Sequence, residues 1–333
     1  MIIYSTNSGQ LNIQYLENNE NNNSFLYSIP TDDPVWEIAF SLNENFILWS
    51  VEYNLSMKIY YAKLNLNSDQ NYNESMVKPI VLLEKKVRPY IQFDWIHSLL
   101  YLKSYYNIEV LNINEKDKIF LLIERSNQIL NSVINPEKLL IFWTERTSLD
   151  KRDTNLFGAN QDGSQIELLK YHKSVLIHWL TIDYKNNVLI LCDERFTLFT
   201  IGFDGNDFKQ IVKFPNKKLL NIPGTYDYIF ESYFFAHQLD ENFTNILKYD
   251  FNTNEEKEIL QISNSKSKFK YQLSKFRIIH KSRQPDSINR CSNASCSQLC
   301  LPINYTNYRC VCNKNQDNLC VEYVSKFYLF ICN

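Results

Sequence analysis

Short apolar segments separated by polar turns recur along the first 284 residues of the chain. A strand-forming tetrad begins at residues 4, 48, 101, 142, 190 and 234, so successive copies start 44, 53, 41, 48 and 44 residues apart. Helical periodicity is poor throughout. An interval of this length accommodates four short strands and is typical of one blade of a β-propeller. The tetrads are Tyr4–Asn7, Leu48–Val51, Tyr101–Ser104, Phe142–Glu145, Ile190–Asp193 and Phe234–His237.

The residues around each tetrad repeat as well. An apolar segment such as Ile91–Asp94 precedes the tetrad, and an alternating segment such as Asn107–Ile113 follows it. The pairs Asp162–Gly163 and Asp204–Gly205 then indicate hairpin turns. A last apolar segment such as Ile166–Leu169 ends the unit. The sequence therefore predicts an all-β fold made of four-stranded units.

Two incomplete units stand at the ends of this region. The first tetrad begins at Tyr4 with no strand before it, and the apolar segment Leu273–Ile279 follows the fifth full unit. The late segment would supply the missing innermost strand of the unit formed by residues 2–29. Such closure covers an exposed sheet edge, which a circular array of sheets requires. It predicts a six-bladed propeller over residues 1–284.

A dense cluster of cysteines follows the propeller region. Six of the eight cysteines lie within residues 291–320, separated by 4, 3, 9, 1 and 7 residues. A zinc site would need C-x-x-C pairs or histidine partners, and the cluster contains neither. An even number of cysteines in a segment too small for its own core favours a disulfide framework, which indicates an extracellular or luminal location. The six are Cys291, Cys296, Cys300, Cys310, Cys312 and Cys320.

These features together resemble the low-density-lipoprotein receptor family. Phe142–Glu145 is similar to its YWTD (class B) repeat, and Phe93–Tyr101 is similar to its run from inner strand to tetrad. The segments Cys296–Pro302 and Tyr308–Cys312 resemble the EGF-like module that follows the family's six-bladed propeller. The chain is identified as a divergent member or fragment of this family, with an EGF-like module at residues 291–320.

The resemblance carries further expectations. It implies the disulfides Cys291–Cys300, Cys296–Cys310 and Cys312–Cys320. This pairing rests on the resemblance, because six cysteines allow fifteen pairings and spacing alone does not choose among them. The terminal segment 321–333 is interpreted either as a frayed strand or as the first strand of a following propeller. Residues Pro285–Asn289 lack the acidic pattern of calcium-binding EGF modules, so no metal site is expected there.

Sequons for N-glycosylation fit an extracellular location. They are also expected by chance in a chain so rich in asparagine, so only part of the set is predicted to carry glycan. The candidates are Asn22, Asn54, Asn73, Asn242, Asn293 and Asn304.

Other kinds of chemistry find little support in the sequence. The net charge of −2 provides no general attraction for nucleic acid or anionic lipid. Common nucleotide-binding and zinc-protease motifs are absent, and so is any apolar run of 18 residues. No signal peptide opens the chain, and we interpret this as missing ends.

We predict no catalytic residue, no metal site and no cofactor. Cys192 is expected to be a buried, inert thiol, and His97 or His237 could sense acid.

The leading hypothesis is a non-catalytic ligand-binding ectodomain unit of a cell-surface receptor, of the endocytic or Wnt co-receptor type. Its partners would be protein ligands on the propeller face, and membrane attachment would come only through missing parts of the chain. One alternative is an extracellular matrix protein of the nidogen kind. Another is a propeller glycosidase or lactonase, for which Asp94 and Asp183 are recurring acids at inner-strand ends.

The connector between the two regions is short. Pro285–Arg290 holds the cysteine-rich module close to the propeller. A module with little apolar area of its own gains by burying some of it against a neighbour. We therefore predict that Leu299, Leu301 and Tyr305 dock against the propeller.

Overall fold

The structure is a computed structural model of the chain. It describes residues 1–6, 9–14, 25–31, 33–53, 56–64, 79–85, 90–115, 118–148, 151–213, 226–229, 232–238, 243–250, 253, 255–263, 273–312 and 324–326. Within these residues the fold is almost entirely β, and the only helical element described is a single 3-10 turn at Lys281–Arg283.

The chain begins with three strands of one sheet and continues with five antiparallel sheets of four consecutive strands each. The first three strands are β1 (Ile2–Thr6), β2 (Gln10–Gln14) and β3 (Phe25–Pro30). The next sheet contains β4 (Val35–Ser41), β5 (Phe46–Tyr53), β6 (Ser56–Lys63) and β7 (Ile80–Lys85). It is followed by β8 (Tyr90–Asp94), β9 (Leu99–Lys103), β10 (Asn107–Asn112) and β11 (Phe120–Glu124).

The remaining three sheets of consecutive strands follow the same order. One contains β12 (Gln128–Asn135), β13 (Leu140–Arg146), β14 (Thr154–Asn160) and β15 (Glu167–His172). The next contains β16 (Ile177–Asp183), β17 (Val188–Asp193), β18 (Thr197–Gly202) and β19 (Lys209–Lys213). The last contains β20 (Tyr226–Ile229), β21 (Ser232–Gln238), β22 (Phe243–Asp250) and β23 (Glu255–Ser263).

The two ends of this region meet in one composite sheet. Strand β24 (Leu273–Ile278) pairs antiparallel with β1, so that the sheet has the order β24-β1-β2-β3. The register places Ile2 opposite Ile278 and Tyr4 opposite Phe276. The amino group of Met1 also donates to the carbonyl oxygen of Ile279 at 3.3 Å. The inner neighbour of strand β1 is therefore β24, the last strand of the propeller region.

The innermost strands are arranged in a ring. Strands β4, β8, β12, β16, β20 and β24 contact one another in that order, and β24 also contacts β4. Such a closed cycle of sheets around a central channel is a β-propeller, which confirms the all-β propeller predicted from the repeats.

The core lies between neighbouring sheets. One cluster joins Ile3 of the composite sheet to Trp49 of the next, and another joins Leu48 to Leu102. The tetrad strands are the most buried parts, and Trp49 and Trp143 are almost fully enclosed. Trp95 lies outside the strands. It is buried in the turn after β8, where its indole nitrogen donates to the carbonyl oxygen of Pro285 at 3.2 Å.

The Asp–Gly pairs form the turns that the sequence indicated. Gly163 and Gly205 have φ of +81° and +82°, a conformation that side chains disfavour. A Cβ on Gly163 would also lie 2.8 Å from the carbonyl oxygen of Leu122 in the preceding sheet. These glycines thus allow each turn to approach its neighbour closely.

The cysteine-rich module docks against the propeller. Leu299 and Leu301 are each 1% exposed and share one apolar cluster with Tyr101 and Trp143. The docking predicted for these two leucines is therefore confirmed, but Tyr305 stays 60% exposed. The module forms a small sheet of β25 (Leu299–Pro302), β26 (Asn307–Val311) and β27 (Val324–Lys326). No helix in the described parts of the chain is long and apolar enough to cross a membrane.

Candidate functional site: the central channel and its mouths

The inner strands enclose a channel that carries buried charge. Its cations include Lys103 at the end of β9 and Lys275 and Arg277 on β24. Its acids are Glu37 on β4 and Asp227 on β20. These groups come from different blades and meet only because the ring closes.

Glu37 is the centre of one ion-pair network. Its carboxylate lies 2.9 Å from the ammonium nitrogen of Lys275 and also contacts the guanidinium of Arg277. Lys275 and Glu37 are almost fully buried. Burial lowers the pKa of Lys275, and the charge of Glu37 opposes that change. The network therefore joins the closing strand to the next blade by charge as well as by packing.

Lys103 is a second buried lysine of the channel. Its ammonium donates to the carbonyl oxygens of Ile129 at 3.3 Å and Leu130 at 2.8 Å. It also lies 4.1 Å from the centroid of the Tyr90 ring. Burial lowers the pKa of Lys103 to about 7, with Glu37 acting in the opposite direction. This lysine therefore titrates near neutral pH.

An aromatic mouth opens at the amino-terminal ends of the inner strands. We define it by Trp36, Tyr90, Tyr105, Gln128 and His178, which line one cavity. Trp36 and Tyr105 are 38% and 56% exposed, although large aromatic groups favour burial. Aromatic side chains grouped at an open cavity are typical of binding surfaces. This cavity adjoins the channel, with which it shares lining residues such as Tyr90 and Lys103.

The carboxyl-terminal ends of the inner strands are covered. After β24 the chain crosses this end, and Arg283 forms an ion pair with Asp227. The side chain of Gln284 accepts from the backbone of Leu42 at 2.8 Å and donates to the carbonyl oxygen of Phe40 at 2.6 Å. The closing segment therefore occupies this end, and the aromatic mouth lies at the opposite end.

The acids proposed for a propeller enzyme, Asp94 and Asp183, accept backbone hydrogen bonds within turns. Asp94 accepts from the backbone nitrogens of Ile96 and His97 at 2.9 and 3.0 Å, and it also binds the His97 ring at 2.7 Å. Asp183 accepts from the backbone of Lys185 and Asn186 at 3.1 Å each. In the described portion of the chain, no three His, Cys, Asp or Glu side chains are grouped as metal ligands would be.

The structure describes some of the predicted modification and disulfide sites. Disulfides join Cys291 to Cys300 and Cys296 to Cys310. Cys312 is also disulfide-bonded, while Cys320 lies outside the described residues. Asn293 and Asn304 are exposed. The sequons outside the described residues are Asn22, Asn54, Asn73 and Asn242.

The histidines and the remaining thiol follow simple rules of burial. Cys192 is a buried free thiol, and burial raises its pKa. His97 is fully enclosed beside Asp94, whereas the side chain of His237 lies outside the described part. Burial lowers the pKa of His178 to about 4, so it is neutral at physiological pH.

Sequence reasoning missed the channel charges. Glu37 interrupts the apolar strand Val35–Ser41, and Lys103 ends the fully buried strand Leu99–Lys103. A charged residue inside a buried strand is the signal that could have revealed them, because such residues are seldom buried without partners. Which charges face one another could be known only after the order of the blades around the channel was known.

Comparison with known proteins supports the fold. No protein-family model matches the chain, and no curated protein matches its sequence. A chain in the crystal structure of a nidogen/laminin complex is similar, with a TM-score of 0.60 and 13% identity over 83% of this chain and 97% of that chain. A protein from Lactobacillus plantarum has a TM-score of 0.48 and 12% identity over 79% of this chain and 82% of that chain. The first similarity shows a shared propeller fold.

Proposed function

We propose that the chain is a non-catalytic, ligand-binding ectodomain unit that holds protein ligands at the aromatic mouth. In this proposal residues 1–284 form a six-bladed propeller, with the composite sheet as the sixth blade. Residues 291–320 form an EGF-like module. The observation that carries the proposal is the open aromatic mouth opposite an end that the chain itself covers.

The chemistry of this mouth suits a protein partner. Trp36 and Tyr105 present broad, exposed ring surfaces, and such residues contribute strongly to protein interfaces when a partner buries them. Lys103 at the base of the mouth adds a positive group that can orient a polar side chain. Nucleic acid is disfavoured because the net charge of the chain is −2.

The disulfides support an extracellular setting for this unit. Our leading proposal is a receptor related to the low-density-lipoprotein receptor family, of the endocytic or Wnt co-receptor type. Its attachment to a membrane would depend on segments other than those described.

A matrix protein is the second candidate. The similarity to a chain of a nidogen/laminin complex is the specific observation in its favour. A transmembrane segment elsewhere in the full-length protein would favour the receptor, and its absence there would favour the matrix protein.

Binding measurements test the role of the mouth. The chain would be immobilised and probed with a panel of purified extracellular proteins that includes laminin. We expect the double variant Trp36→Ala/Tyr105→Ala to lose at least about tenfold in affinity for any bound protein, because two hot-spot rings are removed. The matched control Leu121→Ala/Leu168→Ala removes apolar side chains that are at least as exposed from the outer strands. Equal losses in both variants would place binding elsewhere.

A further inference from the structure

The channel and the aromatic mouth meet at a narrow neck. Four residues line both cavities, and they define this neck: Tyr90, Lys103, Leu130 and Asn131. Three of them, Tyr90, Lys103 and Asn131, carry a side-chain hydrogen-bond donor. The neck is therefore the place where a solute that enters through the mouth first meets the charged interior.

Positive charge exceeds negative charge around the neck. The charged groups that face Lys103 are Glu37 on β4 and Lys275 on β24, with Arg277 beside them. Among the described residues that face Lys103, Glu37 is the one acid, and two cations already share its carboxylate. Further along the channel, Asp227 is paired with Arg283. Three cations thus share one acid, and uncompensated charge in a buried setting is costly.

The other neighbours of Lys103 do not supply the missing negative charge. They are the ring of Tyr90, the carbonyl oxygens of Ile129 and Leu130, and the mouth residues Tyr105 and His178. His178 is neutral at pH 7, because burial lowers its pKa to about 4. Carbonyl dipoles and an aromatic face stabilise a cation only in part.

An unused donor points to the same ligand chemistry. The amide nitrogen of Asn131 is buried and has no hydrogen-bond partner among the described residues. A buried donor without a partner destabilises the fold, and a bound acceptor removes that cost. Lys103 has three donor hydrogens, and two carbonyl oxygens engage two of them.

We propose that the neck binds a small monovalent anion of halide or carboxylate type, held by the ammonium of Lys103 and the amide of Asn131. The anion balances the excess positive charge and satisfies the amide donor. This site goes beyond the proposed protein-binding role and does not depend on it.

Proton uptake and anion binding are coupled at this site. The anion stabilises the protonated form of Lys103, whose pKa in the empty channel is about 7. Above this pH the apparent affinity falls by about tenfold for each pH unit, because a proton must bind with the anion. Acidification therefore strengthens binding until Lys103 is fully protonated.

Thermal unfolding of the full chain in sodium bromide or sodium acetate tests the site. Ionic strength is held constant with sodium gluconate, whose anion is much bulkier. We expect a saturable rise in Tm at pH 6 that is absent in Lys103→Met and that weakens by about fivefold in apparent affinity in Asn131→Leu. Lys118→Met removes a lysine from the surface pair with Glu115 and is the matched control.

A crystal soaked in bromide gives the position directly, through anomalous scattering at the neck. If Lys103→Met does not fold, Asn131→Leu and Asn131→Asp provide the comparison, and the aspartate should abolish binding by repulsion. The proposal is overturned if the wild-type chain shows no saturable rise in Tm. It is equally overturned if the neck variants respond to bromide as the wild-type chain and Lys118→Met do.

Discussion

Arg309 of the cysteine-rich module donates a hydrogen bond to the backbone carbonyl oxygen of Asp162, at 2.8 Å. Its guanidinium also lies 3.5 Å from the carboxylate of the same residue. Asp162 belongs to the turn between β14 and β15, so a polar contact joins the module to a blade beside the apolar cluster of Leu299 and Leu301. The module therefore has a fixed orientation on the propeller.

Loss of the apolar part of this joint should destabilise the chain. We expect Leu301→Ala to cost about 2–5 kcal/mol, because it leaves a cavity in a cluster shared by the module and two blades. Hydrogen exchange should then increase in both partners. The control Ile288→Ala removes a side chain that is 76% exposed in the connector, and it should have little effect. Equal unfolding free energies for the two variants would mean that the shared cluster adds nothing.

The closing strand should be essential for cooperative folding. A chain shortened to residues 1–270 lacks β24, which leaves β1 with an exposed edge and Glu37 without Lys275 and Arg277. We expect the sharp denaturant transition to become broad. Phe276→Ala is the milder test, and it should cost about 3–5 kcal/mol because Phe276 is fully buried. A sharp transition with unchanged midpoint in the shortened chain would contradict closure by this strand.

One of the exposed sequons has the geometry of a turn. The side-chain oxygen of Asn304 accepts from the backbone and hydroxyl of Thr306 at 3.0 and 3.1 Å, and from the backbone of Asn307 at 3.0 Å. This arrangement directs the amide nitrogen away from the turn and leaves it available for glycan transfer. After expression in a secretory pathway, Asn304→Gln should lose one glycan by mass spectrometry. An unmodified wild-type Asn304 would contradict the prediction.

The sequence was sufficient for the repeats and their closure, because both follow from local patterns. Alternation and Asp–Gly turns mark strands wherever they occur, and Leu273–Ile278 stood out as an apolar segment without a partner. The channel could not be predicted in the same way. Glu37, Lys103 and Lys275 belong to three different blades, and their contacts depend on the order and tilt of strands around the ring.

Lys103 should make stability depend on pH above neutrality. Its pKa is about 7 in the folded chain and 10.5 without the fold, so the unfolded state binds more protons between these values. Stability therefore rises with pH across this window, by up to about 1.4 kcal/mol per pH unit from this group. Lys275 acts in the same direction, because burial also lowers its pKa. Free energies of unfolding from urea titrations at pH 7, 8 and 9 would measure the slope. Lys103→Met should reduce the slope and Lys118→Met should leave it unchanged, whereas a slope that is the same in both variants would show that Lys103 is not the group that titrates.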